Sequence, residues 1–205
     1  MDNLRIIATA YDEENSCEYI RIDENFKTSF RKTIDGIKNA SSIAKIKGGY
    51  AVAEESVDNG KLYLLDDNFQ IKECIETGVK GIVYLDYDAK NNVIYGGGYT
   101  DGAFFTLKNW KLKVYRKDKS SIHCIKFMDN HVYVVNCEDD SVYVYNSKFE
   151  FCSKVEFPSG SKPRHIAFNG NNAYVICENS NEIYAFTIGS RGALTLIEKH
   201  KTYEG

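Results

Sequence analysis

Tyr19, Tyr63, Phe104, Tyr143 and Tyr184 each open a short alternating segment, and they stand 44, 41, 39 and 41 residues apart. A spacing held near ~40 residues means that one supersecondary unit is being repeated along the chain. A similar turn follows four of these segments, at Asn25-Phe26, Asn68-Phe69, Asn109-Trp110 and Lys148-Phe149. Upstream of each lies a further strand: Ile6 to Ala10, Tyr50 to Glu54, Val93 to Gly97, Val132 to Asn136 and Ala173 to Cys177. Before four of those lies another, at Ser42 to Lys47, Gly81 to Tyr87, Ile122 to Met128 and His165 to Asn169. Runs such as Ser141-Val142-Tyr143-Val144-Tyr145 alternate with period two and lack the 3.6-residue rhythm of a helical repeat.

Four short strands repeated in this way predict an all-β chain, a β-propeller of four-stranded blades. About five blades are expected in a single domain, over residues 1–35, 36–78, 79–120, 121–160 and 161–205. The first unit begins at its second strand, so blade one is expected to lack its inner strand and to leave an unpaired edge. Either further C-terminal blades or a second copy of the chain would then complete the ring. Composition agrees with strands: fifteen Tyr and eleven Phe accompany only two Pro.

Net charge is −3 and the basic residues are dispersed, which gives no footprint for nucleic acid. The N-terminal stretch turns acidic by Asp12, and no run approaches the roughly 18 apolar residues of a membrane span. The expectation is a cytoplasmic protein with no membrane and no nucleic-acid partner. Six cysteines are scattered without CxxC or zinc-site spacing, so Cys124, Cys137 and Cys177 read as buried thiols in apolar strands. No metal and no cofactor is implied. Gly96-Gly97-Gly98 has no helix after it, and reads as a close backbone approach rather than a phosphate cradle.

The candidate site lies at strand ends. His123 is ten residues before Tyr133 and Arg164 ten before Tyr174, so the two occupy equivalent places in consecutive blades. In a propeller the first strand of each blade lines the central channel, and its start shares a face with the end of the second strand. Glu178 therefore joins His123 and Arg164 at one rim. By the same count from the tyrosine, Glu54 and Cys137 take the Glu178 position in their own blades. Each has a plainer reading: His123 as a rim residue, Arg164–Glu178 as a structural ion pair, Glu54 as a loop-capping carboxylate. Strand alternation sends His165 to the face opposite Arg164. His165 and Glu54 are the candidates for binding substrate.

The run Lys162-Pro163-Arg164-His165-Ile166-Ala167-Phe168, continuing through Tyr174-Val175-Ile176-Cys177-Glu178, resembles the hairpin motif of the 6-phosphogluconolactonase family of seven-bladed propellers, which includes muconate-lactonizing enzymes. His123-Cys124-Ile125-Lys126-Phe127 is similar to that family's H-x-V-x-F strand, and Thr202-Tyr203-Glu204-Gly205 to the segment leading into its sixth blade. The resemblance implies a site made of His123, Arg164 and Glu178, acting on a small-molecule lactone. Gly81-Ile82-Val83 departs from the family's C-H pair, and Asn136-Cys137-Glu138-Asp139-Asp140 departs from its D-L-G-x-D turn. A non-catalytic binding propeller and a cycloisomerase are the alternative readings.

Overall fold

The computed structural model describes residues 4–14, 16–116 and 120–203. Glu204 and Gly205 of the C-terminal motif lie outside them. Five antiparallel sheets follow one another along the chain. The first has three strands, β1 (Leu4–Thr9), β2 (Cys17–Ile22) and β3 (Thr28–Thr33). The second is β4 (Ala40–Ile46), β5 (Gly49–Glu54), β6 (Lys61–Asp66) and β7 (Ile71–Glu76). The third is β8 (Ile82–Asp88), β9 (Val93–Gly98), β10 (Ala103–Lys108) and β11 (Lys111–Arg116). The fourth is β12 (Ile122–Met128), β13 (His131–Asn136), β14 (Ser141–Asn146) and β15 (Phe151–Glu156). The fifth is β16 (Pro163–Asn169), β17 (Asn172–Cys177), β18 (Glu182–Ile188) and β19 (Leu194–Lys201). Strands pair in sequence order within every sheet, as in the blades of a propeller. Among the described residues the first sheet has three strands, and the other four sheets each have one more on the inner side.

Period-two alternation explains how the blades stack. On β13, Val132 and Val134 pack against Tyr95 and Phe104 of the third sheet. Tyr133 and Val135, the intervening residues, pack against Val175 and Phe186 of the fifth. Each central strand thus feeds two interfaces, and four buried clusters fill the four gaps between the five sheets. Cys124, Cys137 and Cys177 are buried within this packing as small apolar side chains.

The recurring turn between the third and fourth strands has a clear cause. Phe26, Phe69 and Phe149 all take positive φ, near 59°, 63° and 63°. In each case an Asp or Asn side chain three residues earlier (Asp23, Asp66 or Asn146) accepts two backbone N–H groups through Oδ1 and holds the loop. Asn109-Trp110 does not belong to this class. It is a two-residue turn with both φ positive, 48° and 64°, joining Lys108 to Lys111 directly.

Gly96 and Gly97 are required by close approach. A Cβ on Gly96 would stand 2.2 Å from the ring of the fully buried Phe105, and one on Gly97 2.7 Å from Ile122 of the next blade. Gly96→Ala is expected to destabilise the protein by about 1–3 kcal/mol, because Phe105 has no free space to move into. A denaturation midpoint equal to wild type would refute this account of the glycine run. No helix of the described residues is long and apolar enough to cross a membrane.

Candidate active site

Four sheets carry the same irregularity at the start of the inner strand. Register slips between Ala40 and Ser42, Ile82 and Tyr84, Ile122 and Cys124, and Pro163 and His165. The extra residues are Ser41, Val83, His123 and Arg164. A β-bulge leaves its extra residue out of the ladder and re-aims the side chains beside it. His123 and Arg164 are therefore the same structural position in adjacent sheets, the equivalence that their spacing predicts.

The facing position lies one residue past the second strand. Its N–H donates to the carbonyl just before the bulged strand in every case: Glu55 to Asn39, Tyr99 to Gly81, Cys137 to Ser121 and Glu178 to Lys162, at 2.7–3.0 Å. This corrects the placement of Glu54. Glu54 pairs with Ala40, as Cys177 pairs with Pro163, so Glu55 rather than Glu54 matches Glu178. Counting from the tyrosine slips by one because Tyr50 begins one step earlier in its strand than Tyr174 does. The Glu54 carboxylate is buried and occupied, taking the Tyr63 hydroxyl at 2.7 Å and facing Lys61 Nζ at 3.2 Å.

His123 is 9 % exposed, and its Nδ1 is buried without a hydrogen-bond partner. Tyr99 meets its ring edge-on at 5.9 Å between centroids, and His165 meets it at 4.8 Å. Burial, then the Arg164 guanidinium, pull its pKa down to about 4, so the imidazole is neutral at neutral pH. Arg164 Nη1 donates to Glu178 Oε2, with both side chains about half exposed. A pair this wet contributes only about 0–1 kcal/mol to stability. It orients the guanidinium while leaving other N–H donors free to meet a ligand.

His165 is not on the opposite face. The bulge at Arg164 breaks the alternation, and the imidazole turns toward the channel, against His123 and, at 5.7 Å, Tyr84 of the third sheet. Burial and then Arg164 and Lys126 lower its pKa. Cys137 Sγ donates to the Pro163 carbonyl at 2.8 Å, and burial holds its thiol up at about 12, which makes it a packing group.

Residues 42–205 match the family model described as lactonase, 7-bladed β-propeller. The chain belongs to the lactonase family. Solved structures agree on the fold. One is described as a putative 6-phosphogluconolactonase from Bacteroides fragilis, with TM-score 0.79 and 18% identity over 98% of this chain and 68% of that one. A Lactobacillus plantarum protein gives 0.84 and 19% over 99% and 68%. The periplasmic gluconolactonase of Pseudomonas aeruginosa gives 0.82 and 17% over 98% and 68%. No curated protein sequence matches the chain.

In this lactonase-family chain, then, two consecutive blades bring together a neutral imidazole, from the fourth, and an oriented guanidinium with its carboxylate, from the fifth. Spacing alone misses Tyr99, Glu55 and Tyr84. The first two become legible if positions are counted from the hairpin turn instead of from an aromatic. Glu55 also connects to Tyr11 of the β1–β2 loop. Tyr11 and Glu55 line one surface cavity together with Asn39 and Ser56, and the Tyr11 side chain stays two-thirds exposed there.

Proposed function

We propose that this chain hydrolyses a sugar-acid lactone, with 6-phosphogluconolactone the preferred substrate and 6-phosphogluconate the product. Family membership supports lactone chemistry in general, and the observation that carries the assignment to this site is the buried, neutral His123 beside Arg164 and Glu178. Water would add its oxygen to the lactone carbonyl carbon while its proton passes to the His123 imidazole. The carbonyl oxygen becomes an oxyanion that the Arg164 guanidinium stabilises. The ring C–O bond then breaks, and the departing ring oxygen takes the proton back from His123. Glu178 holds Arg164 in orientation, and His165 contributes a neutral hydrogen-bonding wall.

The test is hydrolysis of glucono-δ-lactone and its 6-phosphate against the spontaneous rate. Acceleration by the folded chain is expected. The depressed His123 pKa sets the pH dependence: the base is unprotonated down to about pH 4, so kcat/KM should stay level from pH 7 to about 5 and fall toward 4. A folded sample that leaves the spontaneous rate unchanged would refute the reading. An acid limb near 6.5 would refute the role of His123.

A further inference from the structure

Behind the His123–Arg164 rim the channel wall is polar and continuous. His165 touches His123, Tyr84 lies 5.7 Å from His165, and Lys126 Nζ lies 5.3 Å from the Tyr84 ring. These residues come from three blades, on β8, β12 and β16. Beside them a cavity of about 340 Å³ is lined by Ser42, Tyr84, Asp86 and Lys126. Lys126 is the unusual member. Its side chain is 29% exposed, and its ammonium faces Asp86 Oδ1 at 3.6 Å, beyond a good hydrogen bond. Asp86 is committed elsewhere, since Oδ2 accepts the Phe127 N–H at 2.7 Å across the blade boundary.

We propose that Lys126, with the Tyr84 phenol and His165, forms a second subsite that holds the phosphomonoester of the substrate, leaving Arg164 free for the lactone carbonyl. This rests on the lactone reading for its substrate but not for its anion. A half-buried ammonium has three donors, and Asp86 meets it only loosely. A phosphate offers several acceptor oxygens at charge-assisted strength. The local field has the right sign although the whole chain is acidic: Arg164 lowers the affinity of both His123 and His165 for protons, and Lys126 adds to this at His165. An anion seated between them would relieve that field and make His123 a stronger base in the complex than in the free protein.

The experiment uses Lys126→Met and Asp86→Asn, with inorganic phosphate as the probe in a direct titration and the two lactones as substrates. Lys126→Met is expected to weaken phosphate binding about 10- to 100-fold, the range for a hydrogen bond to a charged group. It should raise KM for the phosphorylated lactone by a similar factor and leave the unphosphorylated one within twofold. Asp86→Asn removes the competing charge while keeping an acceptor for Phe127, and should tighten phosphate binding. In wild type, the acid limb of kcat for the phosphorylated lactone should lie above that of kcat/KM, and Lys126→Met should bring the two together. Phosphate affinity unchanged in both variants would overturn the subsite even if lactone turnover is normal. Phosphate binding that depends on Lys126 without any turnover would uphold the subsite and overturn the lactone reading instead.

Discussion

His123→Asn should lower kcat for lactone hydrolysis by about 10²–10⁴-fold, the usual worth of a positioned general base, while the fold survives. The substitution keeps a similar shape and a hydrogen-bonding end, and the residue it replaces lies outside the strand ladder in a bulge. It should also alter acid sensitivity. An unfolded histidine takes up its proton near pH 6.5, whereas the folded His123 resists protonation until about 4. The folded state therefore has the full benefit of a neutral His123 above pH 6.5 and loses it as pH falls toward 4, because the unfolded chain binds the proton first. The loss is on the order of 3 kcal/mol at most. Urea melts of wild type and His123→Asn at pH 7 and pH 4.5 would measure it. The variant should lose less stability between the two than wild type does. Equal losses would mean that His123 is not held neutral by the fold, and retained turnover would remove it from the chemistry.

Arg164→Met should cost about 10²–10³-fold in kcat, comparable to deleting one oxyanion donor. Stability should change little, since the Arg164–Glu178 pair is half exposed and contributes about 0–1 kcal/mol. Arg164→Lys separates charge from geometry. A lysine restores the positive charge without the planar fork, so partial recovery of kcat is expected and full recovery is not. Removing Arg164 also takes away a positive neighbour of both imidazoles, so the acid limb of kcat/KM should move upward from about 4. A limb that stays in place would show that burial alone sets the His123 pKa. A thermal melt that drops sharply in Arg164→Met would instead make the pair structural.

Much of the architecture could be read from the sequence because a propeller repeats. Period-two runs such as Ser141-Val142-Tyr143-Val144-Tyr145 point side chains alternately to two interfaces, and a repeat near forty residues sets the four-strand unit. The equivalence of His123 and Arg164 emerged from spacing alone, since both sit ten residues before a tyrosine in blades with equal hairpins. Glu54 failed by the same count. Tyr50 and Tyr174 differ by one step in strand register, and one step exchanges a rim position for a blade-facing one. His165 failed because alternation assumes an unbroken ladder, and a bulge is a property of two paired strands that neither shows by itself.

Sequence by itself determined the all-β repeat, the buried thiols and the equivalence of His123 and Arg164 in consecutive blades. These follow from local rules: side-chain periodicity, turn chemistry and chain length. Only the tertiary structure decided which groups face one another. It turned His165 inward, set Tyr99 against His123, replaced Glu54 by Glu55 at the rim, and gathered Tyr84, Asp86 and Lys126 around the channel. The physical reason is that a channel is built from the edges of separate sheets. Its lining comes from residues some forty positions apart, and their contacts depend on bulges and blade stacking that local rules do not encode.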